Sequence, residues 1–373
     1  MTETWRARAV RVTDLRCWAR AQIDLEPGLV VIWGPNGAGK TSLVEALTMG
    51  CLGVSPRSSR EAEIVRRGAE AARVEVSLDG PGGRRERAIG YAPLRGRRMS
   101  IDDAPVRALG EWAVPGAVLV FIPDELRIVK GPPAARRRHL DRLLEASRSG
   151  YRESSSGYKH AISQRNALLR RVRSGEVSAT ELTPWERQMI PLAAEIIRAR
   201  RQAIVDLGEP FRHWFEALGG GDEGALRLDP SPSALRGVPG EDLERVLLEM
   251  MDERRPRDIA AAQTLSGPHR DDVGLWAGEL DLRSSGSQGE QRTAALALTL
   301  AHRDHLSEVV ARPILLLDDA LSELDPDRRA RLLEAVADSG QTLITTADPA
   351  VAELARAVSA QVLHVEAGDV AVG

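Results

Sequence analysis

The sequence predicts an α/β fold, a nucleotide-binding head of mixed sheets and helices, interrupted by an inserted and mostly helical arm domain. Three observations carry this expectation. An apolar run, Leu29-Val30-Val31-Ile32-Trp33, leads into Gly34-Pro35-Asn36-Gly37-Ala38-Gly39-Lys40-Thr41 and then into Ser42-Leu43-Val44-Glu45-Ala46-Leu47, giving strand, glycine loop and helix. A second apolar run, Ile314-Leu315-Leu316-Leu317, ends in the paired carboxylates Asp318-Asp319. Between them, from about residue 134 to 218, the chain is charged helical sequence with scattered Gly and Pro.

Taken in order, residues 6 to 33 read as two strands. The first starts at Arg6-Ala7-Arg8-Ala9-Val10-Arg11-Val12, and the second runs into the glycine loop after the turn Glu26-Pro27-Gly28. The spacing G-x-x-x-x-G-K-T is that of the P-loop. Gly37 and Gly39 allow backbone N–H groups to turn inward around phosphate oxygens, where a Cβ would obstruct them. The helix start near Gly39 adds its positive dipole end. Lys40 reaches the β- and γ-phosphates, and the Thr41 hydroxyl is placed to hold Mg²⁺. ATP with Mg²⁺ is therefore the expected ligand, bound by residues 34 to 42. Val74-Glu75-Val76-Ser77-Leu78 alternates as a strand, and Val118-Leu119-Val120-Phe121-Ile122 reads as a buried strand ended by Pro123.

Leu140, Leu143 and Leu144, then Ala161, Leu168 and Leu169, recur at helical spacings. Residues 219 to 241 are rich in Gly and Pro, with one short strand at Ala225-Leu226-Arg227-Leu228; helix returns from Asp242 to Asp252. These shifts divide the chain into an N-terminal part of the head (1–126), an inserted helical domain (127–262) and a C-terminal part of the head (263–373).

The totals narrow the class. At 373 residues there is ample core for two or three domains, and the formal net charge of −3 excludes a uniformly basic nucleic-acid protein. Cys17 and Cys51 match no metal spacing, no apolar run could span a bilayer, and Met1-Thr2-Glu3-Thr4 opens no signal peptide. The expectation is a cytoplasmic protein with no membrane partner. Only Lys40, Lys130 and Lys159 are lysines, so 48 of the 51 basic residues are arginine. A lysine kept in such a chain marks a place where a compact ammonium suits better than a guanidinium, as the phosphate cradle requires of Lys40.

The second half adds the remaining motifs. Alone, four aliphatics and two aspartates describe any core strand with an acidic exit. Paired with the P-loop they form a Walker B strand, with Asp318 on Mg²⁺ and Asp319 orienting or deprotonating the attacking water. Ser287-Gln288-Gly289-Glu290 opens a helix upstream of that strand. It is a capping box, with Ser287 as N-cap and Glu290 three residues on, and it is also the S-x-G-[EQ] signature of ABC-type ATPases. A capped helix start is an anion site, so both descriptions hold; in ABC-type proteins the signature of one subunit binds the γ-phosphate held by another. Ser322-Glu323-Leu324-Asp325 matches the D-loop of the same superfamily, with Ser322 and Asp325 as its polar positions. After the strand Thr342-Leu343-Ile344-Thr345-Thr346, Ala347-Asp348 stands where most ABC ATPases carry a switch histidine. No glutamine occupies the Q-loop place, for which Asp124, Glu125 and Lys130 remain alternatives.

P-loop, helical insertion, signature, Walker B and D-loop together resemble the ABC heads of SMC-like DNA repair proteins. The chain is more closely similar to the RecF family of bacterial recombination mediators. The likeness runs through Phe121-Ile122-Pro123-Asp124-Glu125-Leu126, Val129-Lys130-Gly131 and Arg136-Arg137-Arg138-His139-Leu140-Asp141. It continues in Tyr158-Lys159-His160-Ala161-Ile162-Ser163-Gln164-Arg165-Asn166-Ala167-Leu168-Leu169 and Trp185-Glu186-Arg187-Gln188, and ends in Thr264-Leu265-Ser266-Gly267-Pro268-His269-Arg270-Asp271-Asp272. The resemblance implies an ATP-dependent homodimer that binds duplex DNA and gap junctions. It also implies cooperation with RecO and RecR in loading recombinase during gap repair, fork maintenance and SOS induction. Arg57 matches an arginine that in related heads approaches the γ-phosphate, and Arg16 in Leu15-Arg16-Cys17-Trp18 stands where an aromatic-rich run is usual. Asp319 takes the place of the longer glutamate base, which implies slow hydrolysis.

Arginine clusters are the candidates for DNA phosphates: Arg136, Arg137 and Arg138; Arg170, Arg171 and Arg173; Arg200 and Arg201; and Arg254, Arg255 and Arg257. No aromatic interleaving points to base stacking, so backbone recognition is expected. The competing expectation is an ABC-like regulatory or defence protein that uses ATP to assemble with partners and does not bind DNA.

Overall fold

Alternation along the N-terminal strands builds the first sheet of the computed structural model, which describes residues 3–58, 60–93, 95–221, 223–322, 324–337, 340–366 and 369–372. Strand β1 (Arg6–Leu15) directs Ala7, Val10, Val12 and Leu15 into the core. It pairs antiparallel with β2 (Trp18–Asp24), while β3 (Leu29–Trp33) joins a different sheet, so the stretch holds three strands where two were expected. The turn into β2 uses neither Gly nor Pro. Asp14 and Arg16 take the positive φ there, 51° and 54°, and the usual turn signal is missing.

Helix α1 (Lys40–Leu52) is followed by β4 (Ala72–Gly80), β5 (Gly83–Ala92), β6 (Gly96–Ile101) and β7 (Ala104–Val106). These strands complete an antiparallel sheet in the order β2-β1-β4-β5-β6-β7. Strands β5 to β7 were not expected, because Arg84, Arg85, Arg87, Arg97 and Arg98 break their apolar alternation. Arg87 faces inward even so, its guanidinium held by the Gly50 and Trp112 carbonyls and stacked 4.2 Å from the Trp112 ring centroid. After a short α2 (Leu109–Trp112) comes β8 (Val118–Phe121), then α3 (Arg127–Lys130), α4 (Pro133–Ser147), α5 (Tyr151–Arg173) and α6 (Thr183–Ala217). Strand β9 (Gly224–Asp229), helix α7 (Leu243–Ala261), β10 (Asp272–Ala277), β11 (Leu280–Asp281) and α8 (Leu282–Ser285) lead to the long α9 (Gln288–Val309). The chain closes with β12 (Ile314–Asp318), α10 (Pro326–Ala337), β13 (Thr342–Thr346), α11 (Pro349–Ala357), β14 (Gln361–Glu366) and β15 (Asp369–Val372).

Two compact units result. The first comprises 1–125, 213–221 and 288–373; the second comprises 126–212 and 222–287. In the first, a sheet of order β15-β14-β3-β13-β12-β8 is parallel except for β15, and its central strands β12 and β13 are buried along their whole length. Helix α1 packs against both sheets of this unit, and eleven of its thirteen residues are buried, so it lacks a solvent face. This is the mixed-sheet α/β head expected from the sequence, and it sets the glycine loop at the end of a central strand.

The second unit is mostly helical, with the small antiparallel sheet β11-β10-β9. Its centre is polar. Arg165, fully buried on α5, bonds Glu186 of α6, Asp258 of α7 and the Thr264 hydroxyl. Helix α7 runs through Pro256 to Ala261, nine residues past the expected end at Asp252. The buried Asp258 carboxylate, holding Arg165 and the Leu265 N–H, pins the extra turns.

Candidate nucleotide-binding site

The site grows from the ends of β3, β12 and β13, neighbours in the parallel sheet. The chain leaves β3 through Gly34 and enters α1 through Gly39, whose φ of 110° only glycine adopts readily. A Cβ at Gly39 would lie 2.6 Å from the Trp18 indole nitrogen and 2.8 Å from Cys17 Sγ. Trp18 Nε1 in turn donates to the Gly39 carbonyl at 3.1 Å, fixing the loop from beneath.

Lys40 is buried, and its ammonium donates to the Gly34 and Pro35 carbonyls at 2.7 and 2.9 Å. Burial lowers its pKa, against the opposing pull of Asp319 and Asp318. The Thr41 hydroxyl donates to Asp318 Oδ1 at 2.9 Å, and the Thr345 hydroxyl donates to the same oxygen. Burial raises the Asp318 pKa, while these two hydroxyls and the Arg57 charge hold it down. Asp319 turns at φ 50°, its N–H donating to the Thr345 carbonyl and hydroxyl, both at 3.1 Å. Neighbouring carboxylates thus face different surroundings.

These side chains line a cavity of about 400 Å³. Its walls hold Asn36, Gly37, Gly39, Lys40, Thr41, Ser42, Arg57, Asp318 and Asp319, as the sequence proposed, together with Arg16, Cys17, Pro123 and Thr345. Thr345 was missed. It is the last but one residue of a buried strand, and only the register of β13 on β12, which sets Thr345 opposite Asp318, shows its use. Arg16 is spoken for: it holds Glu45 at 2.7 and 2.8 Å and the Glu63 carbonyl at 2.7 Å. Glu45 is itself buried on α1 and also accepts from Ser55.

Gln288 and Gly289 are exposed at the start of α9, Glu290 is half-buried beside them, and none of the three lines the cavity; Ser287 is exposed as well. Two residues further on, the Arg292 guanidinium reaches the Asp319 carbonyl and the Ser322 hydroxyl, the latter at 3.2 Å, joining α9 to the Walker B turn. Ser322 Oγ donates to the Asp319 carbonyl, and Asp325 accepts from the Arg328 N–H at the start of α10, so the D-loop residues double as turn and cap. Glu323 lies outside the described residues, as do the side chains of Asp124 and Glu125. Lys130 is exposed on α3. Asp348 does not point at the cavity: it caps α11 through the Ala350 N–H and pairs with Arg329 at 2.6 Å.

The arginine clusters separate by burial. Arg136 is 3% exposed, with a bidentate bond to Asp272 at 2.7 Å and further bonds to the Val129 and Gly131 carbonyls, which takes it off the surface where DNA could meet it. Arg200 is likewise buried, on Asp141, Asp271 and the Pro268 carbonyl. Arg137 is half-buried and bonds the Asp271 carbonyl, while Arg138, Arg170, Arg171 and Arg173 are exposed. Arg171 shares Glu176, and Arg255 is paired with Glu186 and Asp252.

Among known proteins, a family profile described as an AAA domain matches residues 9–162. A protein of Heliobacterium modesticaldum named DNA replication and repair protein RecF is 34% identical over 341 residues, 91% of each chain. The same name is carried by a protein of Kineococcus radiotolerans, 34% identical over 359 residues, 91% of this chain and 92% of that one. Among solved structures, one described as the recombination mediator protein RecF-ATP in the RecFOR pathway superposes with a TM-score of 0.86 at 23% identity, covering 100% of this chain and 99% of its own. The Smc head domain of Pyrococcus furiosus superposes with a TM-score of 0.61 at 15% identity, covering 99% and 96%. Both likenesses are of fold.

Proposed function

Because the chain belongs to the RecF family of DNA replication and repair proteins, we propose that it is an ATP-gated DNA clamp whose two composite sites form only when two copies meet. The observation that carries this reading is the division of the phosphate machinery. Lys40, Thr41, Asp318 and Thr345 are gathered in one cavity, while Gln288 and Gly289 lie exposed outside it, free to face a second copy.

The donor set suits Mg²⁺. The Thr41 hydroxyl and the Asp318 carboxylate are hard oxygens 2.9 Å apart. Among the described residues no group of three or more His, Cys, Asp or Glu could hold a metal alone. That is the pattern for an ion which keeps its waters and takes one or two carboxylates plus phosphate oxygens. Held by the Thr41 hydroxyl and the Asp318 carboxylate, Mg²⁺ would supply positive charge against the triphosphate. Lys40 exchanges its Gly34 and Pro35 carbonyls for phosphate oxygens, the glycine loop donates N–H groups, and Asp319 positions a water. Ser287 and the α9 start of the partner complete the site from the far side. Asp319 is one methylene shorter than a glutamate, which favours slow turnover: ATP binding closes the dimer on duplex DNA near a gap, and hydrolysis reopens it. On this reading the clamp acts upstream of recombinase loading with RecO and RecR.

Sedimentation of the wild type and Ser287→Arg with ATP and Mg²⁺, with and without duplex DNA, tests the reading. Wild type is expected to dimerise only with ATP and more strongly on DNA, and Ser287→Arg to bind ATP yet remain monomeric. Two monomers under every condition would reduce the signature to a capped helix.

A further inference from the structure

Three of the stretches that carry the family resemblance away from the ATPase motifs converge on one cavity of the second unit. It measures about 400 Å³ and lies among α4, α5, α6 and the Pro268-His269 turn. Five cationic side chains line it against two carboxylates. One of those carboxylates, Asp141, is already answered by Arg200 and by the Tyr151 hydroxyl at 2.7 Å. Arg200 forms the buried floor. At the rim, Arg138, Arg142 and Lys159 are exposed, and none donates a hydrogen bond or forms an ion pair within the described residues. Most arginines of the chain do make such pairs, so three unanswered cations around one concavity call for an anion. Lys159 is one of only three lysines.

The wall opposite is built to stay put. His269 Nε2 lies 3.1 Å from the Thr264 carbonyl and Nδ1 2.8 Å from the Tyr158 hydroxyl. A carbonyl only accepts, so Nε2 carries the proton and Nδ1 accepts from Tyr158. Thr264 is anchored by Arg165 and by Asn166 Oδ1, which receives both its N–H and its hydroxyl at 2.8 Å. Asn166 and Arg165 thus hold Thr264, Thr264 holds His269, and His269 holds Tyr158, next to Lys159.

We propose that this cavity is a phosphate-binding site, with Arg138, Arg142 and Lys159 as its ligands and the Tyr158–His269 pair as its fixed wall. The phosphate belongs either to the backbone of bound DNA or to a free phosphate monoester; the first source rests on the DNA-binding reading above, the second does not. A backbone phosphate suits it well, because exposed cations around a shallow opening neutralise charge without reading sequence.

The test compares the full-length wild type with Arg142→Gln/Lys159→Gln and with Arg236→Gln/Arg245→Gln, which removes the same charge from exposed positions outside the cavity. Each is titrated with a short duplex, in ATP and Mg²⁺, over a series of salt concentrations, and separately with inorganic phosphate and AMP by calorimetry. Equal unfolding midpoints establish that the variants are folded. The expected result is duplex binding at least about tenfold weaker for the cavity variant, with a salt slope shallower by about two, and little change for the control. Loss of saturable phosphate or AMP binding with duplex binding intact assigns the cavity to a free monoester. If wild type binds duplex and the cavity variant matches it towards every probe, the cavity inference falls and the clamp survives. If wild type binds phosphate through the cavity but no duplex, the clamp reading falls and the phosphate site stands. If wild type binds neither, both fall.

Discussion

Asp318 and Asp319 differ by one peptide bond, and the backbone gives them different work. Asp318 ends a fully buried strand and is gripped by Thr41 and Thr345, whereas Asp319 turns at φ 50° and keeps its carboxylate at the cavity wall. Asp319→Asn retains size and turn geometry but not the base. ATP binding should stay within a few-fold of wild type while turnover falls by about 10²–10⁴; a single-turnover assay checks it, and unchanged turnover would remove Asp319 from the chemistry. His269 supplies a second expectation. Burial pushes its pKa down from 6.5 to about 4. Between those values the unfolded chain takes up a proton that the native imidazole refuses. Stability therefore falls as pH drops from 6.5 towards 4, by up to about 3 kcal/mol, and levels off below that. His139, pushed down to about 3, adds a similar slope. Denaturant midpoints measured across this range should be flatter for His269→Gln by His269's share alone, and equal slopes would mean that His269 is already charged in the native state.

At the level of elements, the parallel strands β3, β8, β12 and β13 and the antiparallel β1, β4 and β9 were legible, whereas β5 to β7 and β14 were not. Strands β3 and β12 are apolar runs buried on both faces, and β13 is buried throughout despite three threonines, so their motifs could be placed directly. The β1–β2 hairpin turns on Asp14 and Arg16 with no Gly or Pro to mark it, and β5–β6 carries arginines inward and outward, which breaks the apolar alternation of a strand. Glycine loop and Walker B were visible locally, and Arg57 came from the family resemblance; Thr345 depended on strand register, and the commitment of Arg136 to Asp272 depended on a partner 136 residues away. The same long-range polar pairing holds α5, α6 and α7 together through Arg165. Arg165→Ala would leave the buried Glu186 and Asp258 carboxylates short of their shared cation. The expected destabilisation is about 3–5 kcal/mol in urea titrations, more than an apolar truncation of similar burial would cost on charge grounds alone. A loss below about 1 kcal/mol would show that Arg255, also on Glu186, suffices.

For the whole molecule, the proposed clamp, with its phosphate cavity apart from the exposed signature, would make nucleotide, dimer and DNA one linked equilibrium. A ligand that binds only the native state stabilises it by mass action, about 2.7 kcal/mol at a hundredfold excess over its dissociation constant, whatever the protein concentration. A ligand that also closes a dimer adds a second dependence. Each tenfold rise in protein concentration then contributes about 1.4 kcal/mol to unfolding of the dimer, because two chains must separate as they unfold. Thermal unfolding at saturating ATP and Mg²⁺, repeated over two decades of protein concentration, separates the cases. The wild-type midpoint should climb with concentration in ATP and stay level without it. Ser287→Arg should show the ATP shift without the climb, and Lys40→Met neither. A wild-type midpoint that rises with ATP but ignores protein concentration would keep the nucleotide site and dispose of the clamp. A climb that persists in Ser287→Arg would place the dimer contact somewhere other than the start of α9.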